Sequence, residues 1–415
     1  MPPLQFVADI MPGRDQRALT NALERFLHSE PSNEIWPDSR HSRLDALDLV
    51  VLPLERVGAP AGQSGGRVFV AYFRAHTRGT GTPEVPCSRP IAVKIDRKHK
   101  MRDERSRVKQ LPPLAGLAKP IACLDLTPID DDRAILIAPF RSIDEPPEEI
   151  KVKDLWTVLQ TADGPRDCAL VDAWPRVSRH VKGALEIVDR LHQGEGRGRR
   201  TQSYAEALEW YLRETRIAGG SPGSRAHYPR GIFGDAPRVN ALGRDWVNPT
   251  RVVDRLLKPS RTFEAVIGAV HGDLHPKNVV LDKSDEPHII DFGWARTDGA
   301  IVVDYILMDI NLRSITLPSH VQEREILKMA RFLTRDRKPT AMQPFLQRRV
   351  DLIQEAIWER VKQQGIVRNW LAEYVIPLFI MAYGLLVHLD KARNQMALVA
   401  TVLAAAEYID GADGE

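Results

Sequence analysis

The chain has 415 residues, which at roughly 150 per domain allows two or three domains or lobes and a sizeable core without covalent staples. Lys and Arg number 58 against 55 Asp and Glu, and a formal net charge of +3 is too small a basic excess for a dedicated nucleic-acid binder. With 43% hydrophobic and 27% charged residues the composition excludes a disordered chain, and three scattered cysteines, Cys87, Cys123 and Cys168, exclude a disulfide framework or a zinc ribbon.

Met1 to Gln16 has Asp9 in its middle and no unbroken apolar core, so no signal peptide is expected. Together with the sparse cysteines this points to the cytoplasm and to no membrane partner. Residues 1–48 are read as an N-terminal extension with one helix, about Arg14 to His28, whose Ala18, Leu19, Leu23 and Phe26 recur at helical spacing. Pro31 to Arg43 reads as a polar loop.

Residues 49–140 form the next expected domain. Leu49–Val57, Val68–Arg74 and Ile91–Ile95 are short β-branched runs between Gly- and Pro-rich turns, as in an antiparallel sheet. Met101 to Leu111 is a charged helix ended by Pro112 and Pro113, and Ala134–Ala138 is a further strand that stops at Pro139.

Residues 141–415 are expected to be mostly helical. Val177–His192 is amphipathic, with Val181, Leu185, Val188 and Leu191 on one stripe. Gly194–Arg200 and Gly219–Arg230 are Gly-, Arg- and Ser-rich and read as long loops. The second is expected either as a mobile flap on the acceptor side, with Arg225 and Arg230 offered to an anion, or as a surface insertion. Val279–Leu281 and Pro287–Ile290 are two short strands around a polar turn. Helices follow at about His320–Thr334, Met342–Gln364, Val367–Leu389 and Asn394–Ile409. Tyr374–Val387 is the most apolar stretch, too short to span a bilayer at ~20 residues and carrying Pro377, so it reads as a core helix. Lys328, Arg331, Arg335, Arg337 and Lys338 form a basic run, read chiefly as a solvated helix end.

The chemistry lies in His271-Gly272-Asp273-Leu274-His275-Pro276-Lys277-Asn278 and in Asp291-Phe292-Gly293. A hairpin between them would bring Asp273, Asn278 and Asp291 to one edge. A carboxylate, an amide and a second carboxylate can share a hard cation such as Mg2+, which is usually completed by substrate phosphates and water. Asp273 could then accept a proton from an attacking hydroxyl, which is phosphoryl-transfer chemistry.

These residues, with Ile290 before Asp291, resemble the protein-kinase-like fold in its aminoglycoside phosphotransferase and choline kinase branch. The resemblance runs by motif from about Leu49 to Leu312, and beyond that only by helical class. It implies an α+β, two-lobed protein-kinase-like fold, with a small antiparallel β-rich N-lobe and a large helical C-lobe that carries the catalytic loop and acceptor site.

The resemblance also assigns roles. Asp273 would orient or deprotonate the acceptor hydroxyl, and Asn278 and Asp291 would hold magnesium. Lys94, in Ile91-Ala92-Val93-Lys94-Ile95, would grip the α- and β-phosphates, held by Glu104 on the following helix, although Asp103 stands next to it. Ser64, Gly65 and Gly66 would cover the phosphates, a departure from the spaced Gly-x-Gly-x-x-Gly pattern. Ala138 and Phe140 would hold adenine at the hinge through their backbone. Asp304 would either buttress the catalytic loop or cap a helix. His275 would either pack under the loop or touch substrate, and Lys277, standing where the branch commonly has glycine, would either be solvated or reach the transferring phosphate.

The expected function is an ATP- or GTP-using, Mg2+-dependent phosphotransferase that moves the γ-phosphate to a hydroxyl of a small molecule. No dense acidic cluster follows Leu317, which weighs against a cationic antibiotic as acceptor. The alternatives are a kinase-like nucleotide-binding regulatory module of a bacterial signalling or defence system, and a protein-directed kinase. Both leave room for a protein partner, and no specific nucleic acid is expected.

Overall fold

The structure is a computed structural model that describes residues 4–6, 13–27, 47–53, 67–75, 91–114, 116–125, 132–139, 153–163, 173–194, 196–213, 224–282, 284–333 and 342–413. The fold is α+β. It divides into two compact units, Met1–Thr157 with Asn278–Ala295, and Val158–Lys277 with Arg296–Glu415.

The first unit begins with β1 (Leu4–Phe6), α1 (Gly13–Leu27), β2 (Leu47–Pro53), β3 (Arg67–Ala75), β4 (Ile91–Arg97), α2 (Lys98–Gln110), β5 (Ala122–Asp125), β6 (Arg133–Pro139) and β7 (Lys153–Asp154). Six of these strands form one sheet in the order β1-β2-β3-β4-β6-β5, antiparallel except for the β1–β2 edge. Successive side chains of a strand point to opposite faces, and β4 shows the consequence. Its Ile91, Val93 and Ile95 are buried in a core with Leu19, Leu23 and Phe26 of α1. Ala134 and Leu136 of β6 instead meet Met101 of α2. The sheet is therefore covered by α1 on one face and by α2 on the other. The N-terminal helix is thus part of this unit's core, not an extension beside it.

The chain passes into the second unit within α3 (Leu155–Asp163), and α4 (Trp174–His192), β8 (Gly198–Ser203), α5 (Tyr204–Arg213), α6 (Ser224–Phe233), β9 (Arg238–Ala241), β10 (Arg244–Val247), α7 (Pro249–Leu256) and β11 (Thr262–Val270) follow. The chain then contributes β12 (Val279–Leu281) and β13 (Pro287–Ile289) to the first unit and returns with β14 (Arg296–Ala300) and α8 (Val302–Ile310). A π-helical turn, Asn311–Ile315, leads on to α9 (Glu323–Arg331). α10 (Pro344–Leu352) and α11 (Glu359–Gln363) are joined by a π-helical segment, Ile353–Trp358. A third such segment, Leu371–Val375, enters α12 (Ile376–Leu385), and α13 (Gln395–Asp413) closes the described chain.

Two expected loops are corrected in part. Gly198–Arg200 belongs to β8, which pairs with β11 from Gly198↔Ile267 to Ser203↔Thr262. Its order comes from that partner and from Arg199, whose guanidinium donates to Glu373 at 2.9 Å and to the carbonyl of Gly365 at 2.7 Å. Residues 224–230 lie in α6, which tolerates Pro229 within it, and Arg230 pairs with Asp254 at 2.5 Å. Residues 219–223 of that expected loop lie outside the described residues. The segment 371–391 is apolar and long enough to cross a membrane, yet 78% of its apolar window is buried inside the protein, as a core helix requires.

Candidate active site

In the first unit the site grows from the pleat of β4. Lys94 points to the α2 face of the sheet, the only described lysine of that strand. Its ammonium stands 2.9 Å from Oε2 of Glu104 and 3.0 Å from Oδ1 of Asp291. Glu104 is in reach because α2 starts at Lys98, directly after the strand. Met101 and Val108, three residues before and four after, are buried beside it on the same helix face. Asp103 is exposed and turned away.

Asp291 comes from the end of the β12–β13 hairpin. Val279↔Ile289 and Leu281↔Pro287 set the register, and the amide of Ile290 donates to the carbonyl of Asn278 at 3.0 Å. Asn278 and Asp291 therefore share one end of the hairpin. Asn278 is buried, at 3% exposure, whereas the Asp291 side chain is 43% exposed. The backbone of Asp291 is left-handed, with φ +63°. That region costs a non-glycine residue about 1–2 kcal/mol, and it persists only where surrounding contacts impose it.

Those contacts come from α2. Besides the Lys94 bridge, the amide of Phe292 donates to the Glu104 carboxylate, and Arg107 donates to the carbonyl of Gly293. Burial alone would lower the Lys94 pKa, but Asp291 and Glu104 outweigh it and hold the ammonium well above the usual lysine value. Burial pushes the Glu104 carboxyl up, and Lys94 offsets part of that rise.

In the second unit β11 ends at Val270 and the His271–Lys277 loop begins. Gly272 has φ +78°, a conformation glycine adopts freely. The fully buried Asp304 carboxylate accepts the amides of His271 at 2.9 Å and Gly272 at 2.8 Å. It also meets Nε2 of His192 at 3.0 Å. Asp304 is the third residue of α8, and the helix N-cap is Ile301, so of its two sequence readings the buttress is the one present. Burial would raise the Asp304 carboxyl, but the His192 hydrogen bond, His192 and His271 together hold it below the usual carboxylate range. His192 in turn stands 3.3 Å from the Tyr305 hydroxyl, which donates to Asp189, and Asp189 accepts from Arg360 at 2.8 Å.

Asp273 follows this anchored pair. Leu274 is fully buried and pins the loop, while the Asp273 side chain remains 30% exposed. Its Oδ2 lies 3.6 Å from Nε2 of His275, which gives His275 a place beside the carboxylate.

Among the remaining candidates, Ala138 is on β6, in register with Ala92. Ser64, Gly65, Gly66 and Phe140 lie outside the described residues, as do Arg335, Arg337 and Lys338 of the basic run. Lys328 of that run is paired with Glu325 at 2.7 Å. Sequence reasoning missed Arg107 and His192. His192 continues the stripe of Val181, Leu185 and Val188 on α4, and a polar residue on an apolar stripe was the available signal.

In fold the chain is similar to aminoglycoside phosphotransferases. One such structure, an inferred aminoglycoside phosphotransferase of Ralstonia eutropha JMP134, is 12% identical, with a TM-score of 0.45 over 94% of this chain and 98% of that one. Aminoglycoside phosphotransferase APH(4)-Ia is 13% identical, with a TM-score of 0.42 over 93% and 98% of the two chains. A glucosamine kinase is 12% identical, with a TM-score of 0.38 over 88% and 81%. At these identities the likeness is one of fold alone. In sequence, residues 186–386 match the family described as Ternary complex associated domain 9. No curated protein matches the chain significantly.

Proposed function

We propose that the chain is an ATP- and Mg2+-dependent phosphotransferase acting on a hydroxyl of a small molecule. The observation that carries this reading is Lys94 bridging Glu104 and Asp291 on the α2 face of β4. A lysine enclosed by two carboxylates is kept charged and aimed, and a nucleoside triphosphate can take over one of its partners.

Asn278 and Asp291 fit a magnesium ion by the chemistry of their donors, an amide oxygen and a carboxylate at one hairpin end. Among the described residues no group of three or more His, Cys, Asp or Glu is arranged to hold a metal. Mg2+ suits such a sparse set, since one or two carboxylates with phosphates and water complete its octahedron. When bound, the ion neutralises charge on the transferring phosphoryl group.

The chain's own residues do the rest. Lys94 binds phosphate oxygens, and Glu104 holds Lys94 in place. Asp273 takes the acceptor's proton as its oxygen bonds to the γ-phosphorus and the bond to the β–γ bridging oxygen breaks, releasing the nucleoside diphosphate. Asp304 keeps the loop that carries Asp273 in shape. The reaction is driven by positioning and electrostatics.

A screen of sugars, amino sugars, amino alcohols and nucleosides with ATP and with GTP tests this. Turnover on one acceptor class that disappears in Asp273→Asn, with nucleotide binding retained, is the expected result. Full turnover in Asp273→Asn refutes the assignment.

A second reading is a nucleotide-binding module that works within a protein assembly, favoured by the description of the family matched over residues 186–386. Nucleotide binding with no transfer to any small acceptor supports it. Label transferred to polypeptide supports a protein-directed kinase.

A further inference from the structure

We propose that Arg107 is a positioning residue for Asp291, fixing from α2 the turn that aims the Asp291 carboxylate. The proposal rests on the reading of Asp291 as part of a nucleotide site and adds a residue that the reading did not contain.

Three consecutive residues of the turn are tied to the same two elements. Lys94 of β4 takes the Asp291 side chain, Glu104 of α2 takes the Phe292 amide, and Arg107 of α2 takes the Gly293 carbonyl. Glu104 and Arg107 are three apart, so they lie side by side on one helix face. The other arginines of α2 serve a different place. Arg102 donates to Asp125 at 2.9 Å, and Arg105 donates to the carbonyls of Pro120 and Ile121. Among the described arginines of α2, Arg107 alone donates to the 291–293 turn.

Its position matters because the Asp291 backbone is left-handed. Such a turn relaxes unless its neighbours over-determine it. Lys94 fixes only a side-chain oxygen, through a rotatable ammonium that a nucleotide must partly recruit. A guanidinium is planar and holds its donors in a rigid fork, so its charge-assisted bond to Gly293 sets the backbone itself. Arg107 is half-buried in α2, and any shift of that helix moves Glu104 and Arg107 together. The position of α2 is thereby converted into the orientation of Asp291.

Arg107→Met keeps the aliphatic stem and removes the fork, while Arg107→Lys keeps the charge. Two measurements on the full chain are informative. Amide hydrogen exchange across residues 291–296 reads the turn in the nucleotide-free protein. Calorimetric binding of a non-hydrolysable ATP analogue over a range of Mg2+ reads the metal requirement. Arg107→Met is expected to speed exchange in the turn and to raise the half-saturating Mg2+ about tenfold, the loss that one charge-assisted hydrogen bond carries. Analogue affinity without Mg2+ should stay within about twofold of wild type, and Arg107→Lys should recover part of the effect. A merely structural arginine would move thermal stability without moving the Mg2+ requirement.

Unchanged exchange in the turn, or an unchanged Mg2+ requirement where the wild type shows one, overturns the proposal and leaves the nucleotide site standing. If the wild type binds the analogue with no dependence on Mg2+, the site reading itself falls and this proposal falls with it.

Discussion

Asp304→Ala is the sharpest probe of how the His271–Asp273 loop is held. The substitution removes a fully buried carboxylate and leaves the amides of His271 and Gly272 and the ring of His192 facing a cavity. Each orphaned buried donor costs about 1–3 kcal/mol, and partial relaxation brings the sum to about 3–5 kcal/mol. In a unit of this size that lowers Tm by about 6–20 °C. The effect carries a pH signature. The folded carboxyl is held below its unfolded value, so its stabilisation is fully present above the unfolded pKa and is lost as pH falls through the folded one. The Tm gap between wild type and Asp304→Ala, read by circular dichroism, should therefore be constant from neutral pH to about 5 and should shrink below about 4. A gap under about 2 °C at neutral pH, or one that does not shrink in acid, refutes the account of the loop.

Other outcomes follow from the same geometry. Lys94→Met leaves the Glu104 and Asp291 carboxylates without their shared cation, and nucleotide affinity measured by calorimetry should fall at least about tenfold. Leu23→Ala in α1 opens a cavity under the sheet and should cost about 2–5 kcal/mol, seen as a lower Tm; no shift would deny α1 its place in the core. Gly299→Ala sets a Cβ 2.5 Å from Cγ2 of the fully buried Val270, the residue before His271, and should destabilise by about 1–3 kcal/mol. An unchanged Tm there would show that β14 can shift away from β11.

Much of the first unit was legible because its signals are local. The alternation of β4, the helix that starts right after it and the β12–β13 hairpin could each be read from a few neighbouring residues. Lys94, Glu104 and Asp291 then needed only three correctly placed elements. What stayed hidden depends on partners far along the chain. β8 is Gly- and Arg-rich and becomes a strand only because β11, some sixty residues later, supplies its hydrogen bonds. α1 read as an extension because nothing local shows that its apolar stripe fits the Ile91–Val93–Ile95 face of β4. Asp304 looked equally like a helix cap, and its true partners, His192 and the 271–272 amides, come from two other elements. α6 was obscured by Pro229, which breaks the expected helical pattern while the surrounding unit still supports the helix.

Lys94, Glu104 and Asp291 are proposed as the protein's half of a nucleotide site. Calorimetric titration of ATP into wild-type protein and into Asp291→Asn, each with and without Mg2+, tests it most directly. The wild type should bind ATP more tightly when Mg2+ is present, and Asp291→Asn should lose that gain while keeping the metal-free affinity within about tenfold. Failure of the wild type to bind ATP under either condition, or an undiminished Mg2+ effect in Asp291→Asn, would contradict it.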